Sequence, residues 1–132
     1  MKFVRLADES ALLMMAPLMG AKSNFSGALH GTSDFLGGGE AWALYGDQGQ
    51  MLAMFVVQRL AREFGRELVV RAGLSLGGLA GLTETILPEI ERIFGDGCDV
   101  VTIQTRRQGL VRKLQKAGYA DVATIMQKRI KK

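Results

Sequence analysis

Between Leu68 and Leu82 the chain reads LVVRAGLSLGGLAGL, an apolar strand that runs into a glycine-rich turn and then into the start of a helix. Glycines let a backbone come close to a ligand, and the first free N–H groups of a helix point at anionic oxygens. The segment is therefore a candidate phosphate cradle. Arg71 interrupts the apolar strand. Alternation puts Val70 and Ala72 on one face and Arg71 on the other, so its guanidinium must escape to an edge or pair with an anion, either a ligand phosphate or a carboxylate of the protein. Glu67 opens the same strand and is a candidate general base acting through a water; the alternative is an exposed strand-end carboxylate. Glu40 stands in the same way at the start of its own strand. His30 is the sole histidine and Cys98 the sole cysteine, so no His/Cys cluster is available to hold a metal and no internal disulfide can form. A lone cysteine suits a reducing compartment such as the cytoplasm. His30 lies in a long loop from which it can reach a substrate pocket, or it is simply a surface histidine.

The elements that must position these groups follow from periodicity. Met1 to Leu6 alternates as a short strand, and Asp8 to Ser10 supplies capping oxygens for a helix over Ala11 to Met19. Lys2 and Arg5 precede that apolar run. Asp8, Glu9 and Pro17 are out of place in a secretory leader, and strand plus helix is the reading preferred. Gly20 to Gly39 has no sustained period and is expected to be a long loop. Glu40 to Tyr45 and Met51 to Leu60 form a hairpin around Gly46 to Gln50, and a second turn at Arg62 to Arg66 leads to the strand from Glu67 to about Leu74. Leu82, Ile86, Leu87, Ile90 and Phe94 have helical spacing, with Pro88 as an internal irregularity and Gly95-Asp96-Gly97 as the stop. Asp99 to Thr105 is expected to be a buried strand, Leu110 to Ala117 a basic helix capped by Gly118, and Ala123 to Ile130 a last strand. Trp42, Met51, Met54 and Phe55 on the hairpin are expected in the core. Met14, Met15 and Met19 either pack on the sheet or form a partner surface.

The order is β-α-loop-β-β-β-α-β-α-β. Antiparallel strands followed by β-α-β imply an α/β (α+β) fold with a mixed, mostly antiparallel sheet flanked by helices. The 132 residues make one domain, able to close a core without disulfide or metal. No apolar run reaches the roughly 18 residues of a membrane span. The net charge of +4 is gathered toward the end, at Arg106, Arg107, Arg112, Lys113, Lys116, Lys128, Arg129, Lys131 and Lys132. Such an end suits a solvated helix face and tail, an acidic surface, cofactor phosphates or, as the weakest alternative, nucleic acid.

Two segments carry a family resemblance. GLAGLTETIL from Gly78 to Leu87 resembles the pyrophosphate turn and helix of the GNAT superfamily of acyl-CoA-dependent N-acyltransferases, and LVRKLQKAGY from Leu110 to Tyr119 resembles that superfamily's A-x-x-L-Y-E-K-x-G-F segment. The element order agrees over nearly the whole chain. The resemblance implies a GNAT-type sheet whose central strands splay and acetyl-CoA (coenzyme A) as cofactor. Val70 and Ala72 would pair with the pantetheine arm, and the turn Gly77, Gly78, Leu79, Ala80, Gly81 and Leu82 would hold the pyrophosphate. It also implies attack by an amine of a small molecule or protein on the thioester, with an oxyanion near a backbone N–H and a proton delivered to the leaving thiolate. Ser75, Arg107 and Leu114 fall where that superfamily often has Arg or Gln, Asn and Tyr, which leaves Tyr119, Tyr45 or a water as acid and Glu67 as base. RRQGLVRKLQKAGY further resembles GNAT-like proteins of tailed bacteriophages. The alternative it implies is a non-catalytic virion or interaction protein, with phage structural proteins or further copies of the chain as partners.

Overall fold

The computed structural model describes residues 2–15, 36–75, 82–105, 108–128 and 130. Strand β1 (Lys2–Arg5) leads into helix α1 (Asp8–Met15), and the meander β2 (Glu40–Tyr45), β3 (Met51–Arg62) and β4 (Gly65–Ser75) follows. Helix α2 (Leu82–Phe94) crosses to β5 (Val100–Ile103), and helix α3 (Gln108–Lys116) closes the set of elements. The strands form one five-stranded sheet in the order β1-β2-β3-β4-β5. Only the β4/β5 pair, joined through α2, is parallel. This is the mixed, mostly antiparallel sheet that the element order implies.

Both faces of the sheet are covered, and strand alternation sorts the residues between them. Ala41, Met54 and Val56 pack with Ala11 of α1 and with Leu36, the alanines letting helix and strand come close. Leu44, Ala53, Phe55, Val57 and Leu68 face Ile86, Ile90 and Phe94 of α2. Phe94 pins the end of α2 to the sheet. Its ring meets Phe3, Phe55 and Trp42 edge-on at 5.7, 5.5 and 5.1 Å. Arg59 Nε donates to the Phe94 carbonyl at 2.8 Å, placing a cation at the helix C-terminus where the dipole favours it. Glu40 holds that corner by pairing with Arg5 at 3.1 Å and Arg59 at 3.7 Å and by accepting from Trp42 Nε1 at 3.3 Å.

Helix α2 covers Leu82–Phe94 as the spacing implies, with Pro88 inside it at an exposed position. Two expectations need correction. Strand β5 is shorter than Asp99 to Thr105 and is not buried. It is the last strand in the sheet order, and Val100 is 55% exposed. The strand expected over Ala123 to Ile130 is not present among the described residues: residues 120–128 carry no regular structure, and Val122, Met126 and Ile130 are 88%, 89% and 91% exposed. Composition favours a strand there, but a strand exists only against a neighbour, and the segment has no ladder partner among the described residues. The end of the first helix beyond Met15, His30 and most of the loop from Gly20 to Gly39 lie outside the described residues.

Candidate functional site

The parallel pair β4/β5 is short and fastened at one end. Its register runs from Glu67 opposite Val100 to Val70 opposite Ile103, and there it stops. Below it the β3/β4 hairpin is clasped to the start of β5. Asp99 N donates to the Arg66 carbonyl at 2.8 Å, and Arg66 N donates to Asp99 Oδ2 at 2.8 Å. Gly65, at φ +157°, keeps this clasp open, since a Cβ there would stand 2.6 Å from Asp99 Oδ2.

Above Val70 the geometry changes. Val57 of β3 is opposite Val70, but Val56 is opposite Ala72, so Arg71 is an extra residue in β4. Such a bulge bends the strand and sharpens its twist. It falls where the pairing with β5 ends. Residues 72–75 of β4 are therefore held by β3 on one side, with no strand partner among the described residues on the other. An edge of this kind offers alternating N–H and C=O groups to an extended, amide-bearing ligand. It leads through residues 76–81 to the first turn of α2, at Leu82.

The candidate cofactor residues divide accordingly. Val70 and Ala72 flank the bulge, Leu82 opens α2, and Gly77, Gly78, Leu79, Ala80 and Gly81 lie outside the described residues. Arg71 donates from Nη1 to Gln58 Oε1 at 3.2 Å across the β3/β4 pair. Leu114 is buried in the core side of α3. Arg107 is outside the described residues.

Glu67 sits at the fastened end of the pair. Thr102 Oγ1 donates to one of its carboxylate oxygens, and Arg62 Nε donates to the other at 2.8 Å. The Thr102 hydrogen bond first, and then Arg62, hold its pKa below the usual carboxylate value. Glu67 is thus an anion that ties β3, β4 and β5 together. Tyr119 follows a Schellman turn at the end of α3, in which Tyr119 N donates to the Leu114 carbonyl at 2.9 Å and Gly118 N to Gln115 at 3.2 Å, with Gly118 at φ +97°. Its hydroxyl is enclosed, with no aligned hydrogen-bond partner among the described residues. Burial first, and then the Glu91 carboxylate of α2, push the phenol above its ordinary range. Glu67 is engaged by Thr102 of β5 and Arg62 of β3, and Tyr119 lies near Glu91 of α2.

Sequence reasoning missed the bulge at Arg71 and the role of Thr102. A single arginine inside an apolar strand, followed by Ala72 and Gly73, is the visible trace of the first. The second depends on β4/β5 register and leaves no local trace.

No protein-family model matches the sequence, and no curated protein does either. Solved structures match over nearly the whole chain. A Pyrococcus furiosus protein provisionally described as an acetyl transferase superposes with a TM-score of 0.71 at 10% identity, covering 98% of this chain and 100% of its own. The ribosomal-protein-alanine N-acetyltransferase of Brucella melitensis gives 0.63 at 14% identity, covering 98% and 100%. The glucosamine-6-phosphate N-acetyltransferase of Arabidopsis thaliana gives 0.59 at 13% identity, covering 98% of each chain. At these identities it is the architecture that is shared: a five-stranded, mostly antiparallel sheet flanked by helices, which is the GNAT acetyltransferase fold.

Proposed function

We propose that the chain is a GNAT-superfamily N-acyltransferase that binds acetyl-CoA or a related acyl-CoA and passes the acyl group to a primary amine. The observation that carries this reading is the edge of β4 at residues 72–75, which beyond the Arg71 bulge has no second strand partner among the described residues and precedes α2 in the chain. In this reading the edge pairs with the amides of the pantetheine arm, and the backbone N–H groups of Gly77 to Leu82 hold the pyrophosphate. The bound acyl-CoA supplies the activated thioester. What the chain supplies is position, which alone lowers such barriers substantially.

Side-chain acid chemistry contributes little in this reading. Leu114 is buried and apolar, and the Tyr119 phenol holds its proton tightly. Glu67 is ionised and can take a proton through a water, although Thr102 and Arg62 already engage it. The same observations favour a second reading, a non-catalytic GNAT-fold protein that binds without turnover.

Calorimetric titration with acetyl-CoA, followed by a screen of amines, separates the two. Binding with acyl transfer supports the first, and binding without transfer supports the second. No binding at millimolar acetyl-CoA overturns both the cofactor site and the activity. Gly78→Trp is expected to abolish binding.

A further inference from the structure

The face of the sheet turned away from α2 carries a carboxylate set among aliphatic side chains. Leu68 and Val57 point into the core that α2 closes, so alternation turns Glu67, Val69 and Leu60 to the opposite side. In the register Glu67 lies between Leu60 of β3 and Val100 of β5, and Val69 lies between Gln58 and Thr102. Cross-strand neighbours of this kind share a face. Leu60 and Val69 are half-buried and Val100 is largely exposed, whereas helix α1 packs farther along the sheet, at Ala41, Met54 and Val56.

Two ties hold the carboxylate, and they are unequal. Thr102 Oγ1 donates to one oxygen from within the sheet, while the other oxygen accepts from Arg62 Nε at 2.8 Å. The Glu67 side chain is 17% exposed and that of Arg62 is 59% exposed. Thr102 is therefore the fixed partner and Arg62 the exchangeable one, since an exposed ion pair outweighs its separated form only several-fold. The carboxyl stays below its ordinary pKa range, through Thr102 first and then Arg62, and is an anion at neutral pH. A partly desolvated anion with aliphatic neighbours on both flanks matches a ligand that is cationic at its tip and aliphatic behind it. Arg62 has that form itself.

We infer that Arg62 occupies, in the free chain, the seat of an alkylammonium acceptor: a primary ammonium on an unbranched aliphatic chain, whose head displaces the guanidinium at Glu67 while its stem lies against Leu60, Val69 and Val100. The inference rests on the acyltransferase reading for what becomes of the amine, and on the surroundings of Glu67 for its binding. Arg62 is then an internal competitor, a positioning residue that acts through Glu67.

The test titrates the full chain with butylamine, which is butylammonium at neutral pH, in low salt and without acyl-CoA, and follows the Glu67 carboxyl carbon by nuclear magnetic resonance. With the seat freed, Arg62→Ala is expected to bind about two- to sixfold more tightly than the native chain, the gain being set by the weak pair it breaks. Arg66→Ala removes an equal charge from the same hairpin and leaves the Glu67 pair intact, so its affinity is expected to stay at the native value. Butanol, with the same stem and no charge, is expected to leave the Glu67 carbon unmoved. Both arginines are exposed, and far-ultraviolet circular dichroism checks that each variant keeps its fold. An Arg62→Ala variant that binds butylammonium no more tightly than the native chain overturns the inference. So does an equal gain in Arg66→Ala, which would make the effect a diffuse field, or a Glu67 carbon that no titration moves. Because acyl-CoA is absent, these outcomes stand apart from the acetyl-CoA titration, whose failure would remove acyl transfer and leave the amine seat in place.

Discussion

Replacing Gly73 with valine sets stability against ligand binding. Gly73 lies on the unpaired stretch of β4, opposite Phe55 of β3. No atom of the described residues comes within 4 Å of where its Cβ would stand, and it is not among the glycines with positive φ. A side chain is therefore permitted by the fold. Removing a glycine at an unstrained position stabilises by about 0.4–1 kcal/mol through the unfolded chain. Valine's preference for strands adds up to about 1 kcal/mol more. For a chain of this length 1 kcal/mol shifts Tm by about 3–5 °C, so Gly73→Val is expected to melt several degrees higher. If the edge is where an acyl-CoA arm lies, the same methyl groups keep the arm from the backbone, and affinity falls at least about tenfold, or about 1.4 kcal/mol. Gly73→Ala should show both effects in smaller measure. Differential scanning calorimetry and titration with acetyl-CoA on the same preparations read the two quantities. A variant that melts higher and binds acetyl-CoA as well as the native chain removes the β4 edge from the site; one that melts lower refutes the open space at Gly73.

Other expectations are simpler. Phe94→Ala removes the ring that fastens α2 to β1, β2 and β3 and should cost about 3–5 kcal/mol in urea denaturation; a cost below about 1 kcal/mol would mean that α2 is held elsewhere. The Glu67 pKa is depressed in the fold, so its contribution to stability is present above the unfolded value near 4.5 and is lost as pH falls through the lower folded value. Glu67→Gln should therefore destabilise near neutrality and flatten the acid limb of the stability profile below that pH. An unchanged acid limb would show that its ties to Thr102 and Arg62 contribute nothing. Tyr119→Phe deletes an enclosed hydroxyl that has no aligned partner, so stability should stay within about 0.5 kcal/mol or rise. If acyl transfer is found, Tyr119→Phe should leave its rate unchanged, whereas a large fall would make the phenol the acid.

Much of the sheet was legible because its strands announce themselves locally. Glu40 to Tyr45 was read with its true limits, and β3 and β4 were placed to within a few residues, since turn glycines and apolar runs mark hairpins whose partners adjoin in sequence. Helix α3 and its Gly118 stop were likewise visible. What escaped depends on neighbours. The segment around Val122 has a strand's composition and no ladder partner among the described residues, and Val100 has a core residue's chemistry at the margin of a sheet. The bulge at Arg71 is a mismatch between β3 and β4, legible only once both strands are in register. For the site, the glycine turn lies outside the described residues, and Glu67 was visible only as a strand-end carboxylate. The engagement of Glu67 by Thr102 could not be read, because 35 positions separate them.

The clasp between Arg66 and Asp99 also divides the molecule by the ease with which its parts come loose. Strands β2 to β4 are stitched to near neighbours in sequence through long antiparallel ladders, while β5 holds to β4 by four paired positions and a clasp spanning 33 residues. The stretch from α2 through α3 is then the unit that opens first, and the amides of β5 should exchange with solvent at a lower free energy than those of β3. A ligand seated along β4 and the start of α2 binds only the docked arrangement. At a hundredfold excess over its Kd it would raise that opening free energy by about 2.7 kcal/mol, so the exchange rate of β5 becomes a gauge of how much ligand the protein holds.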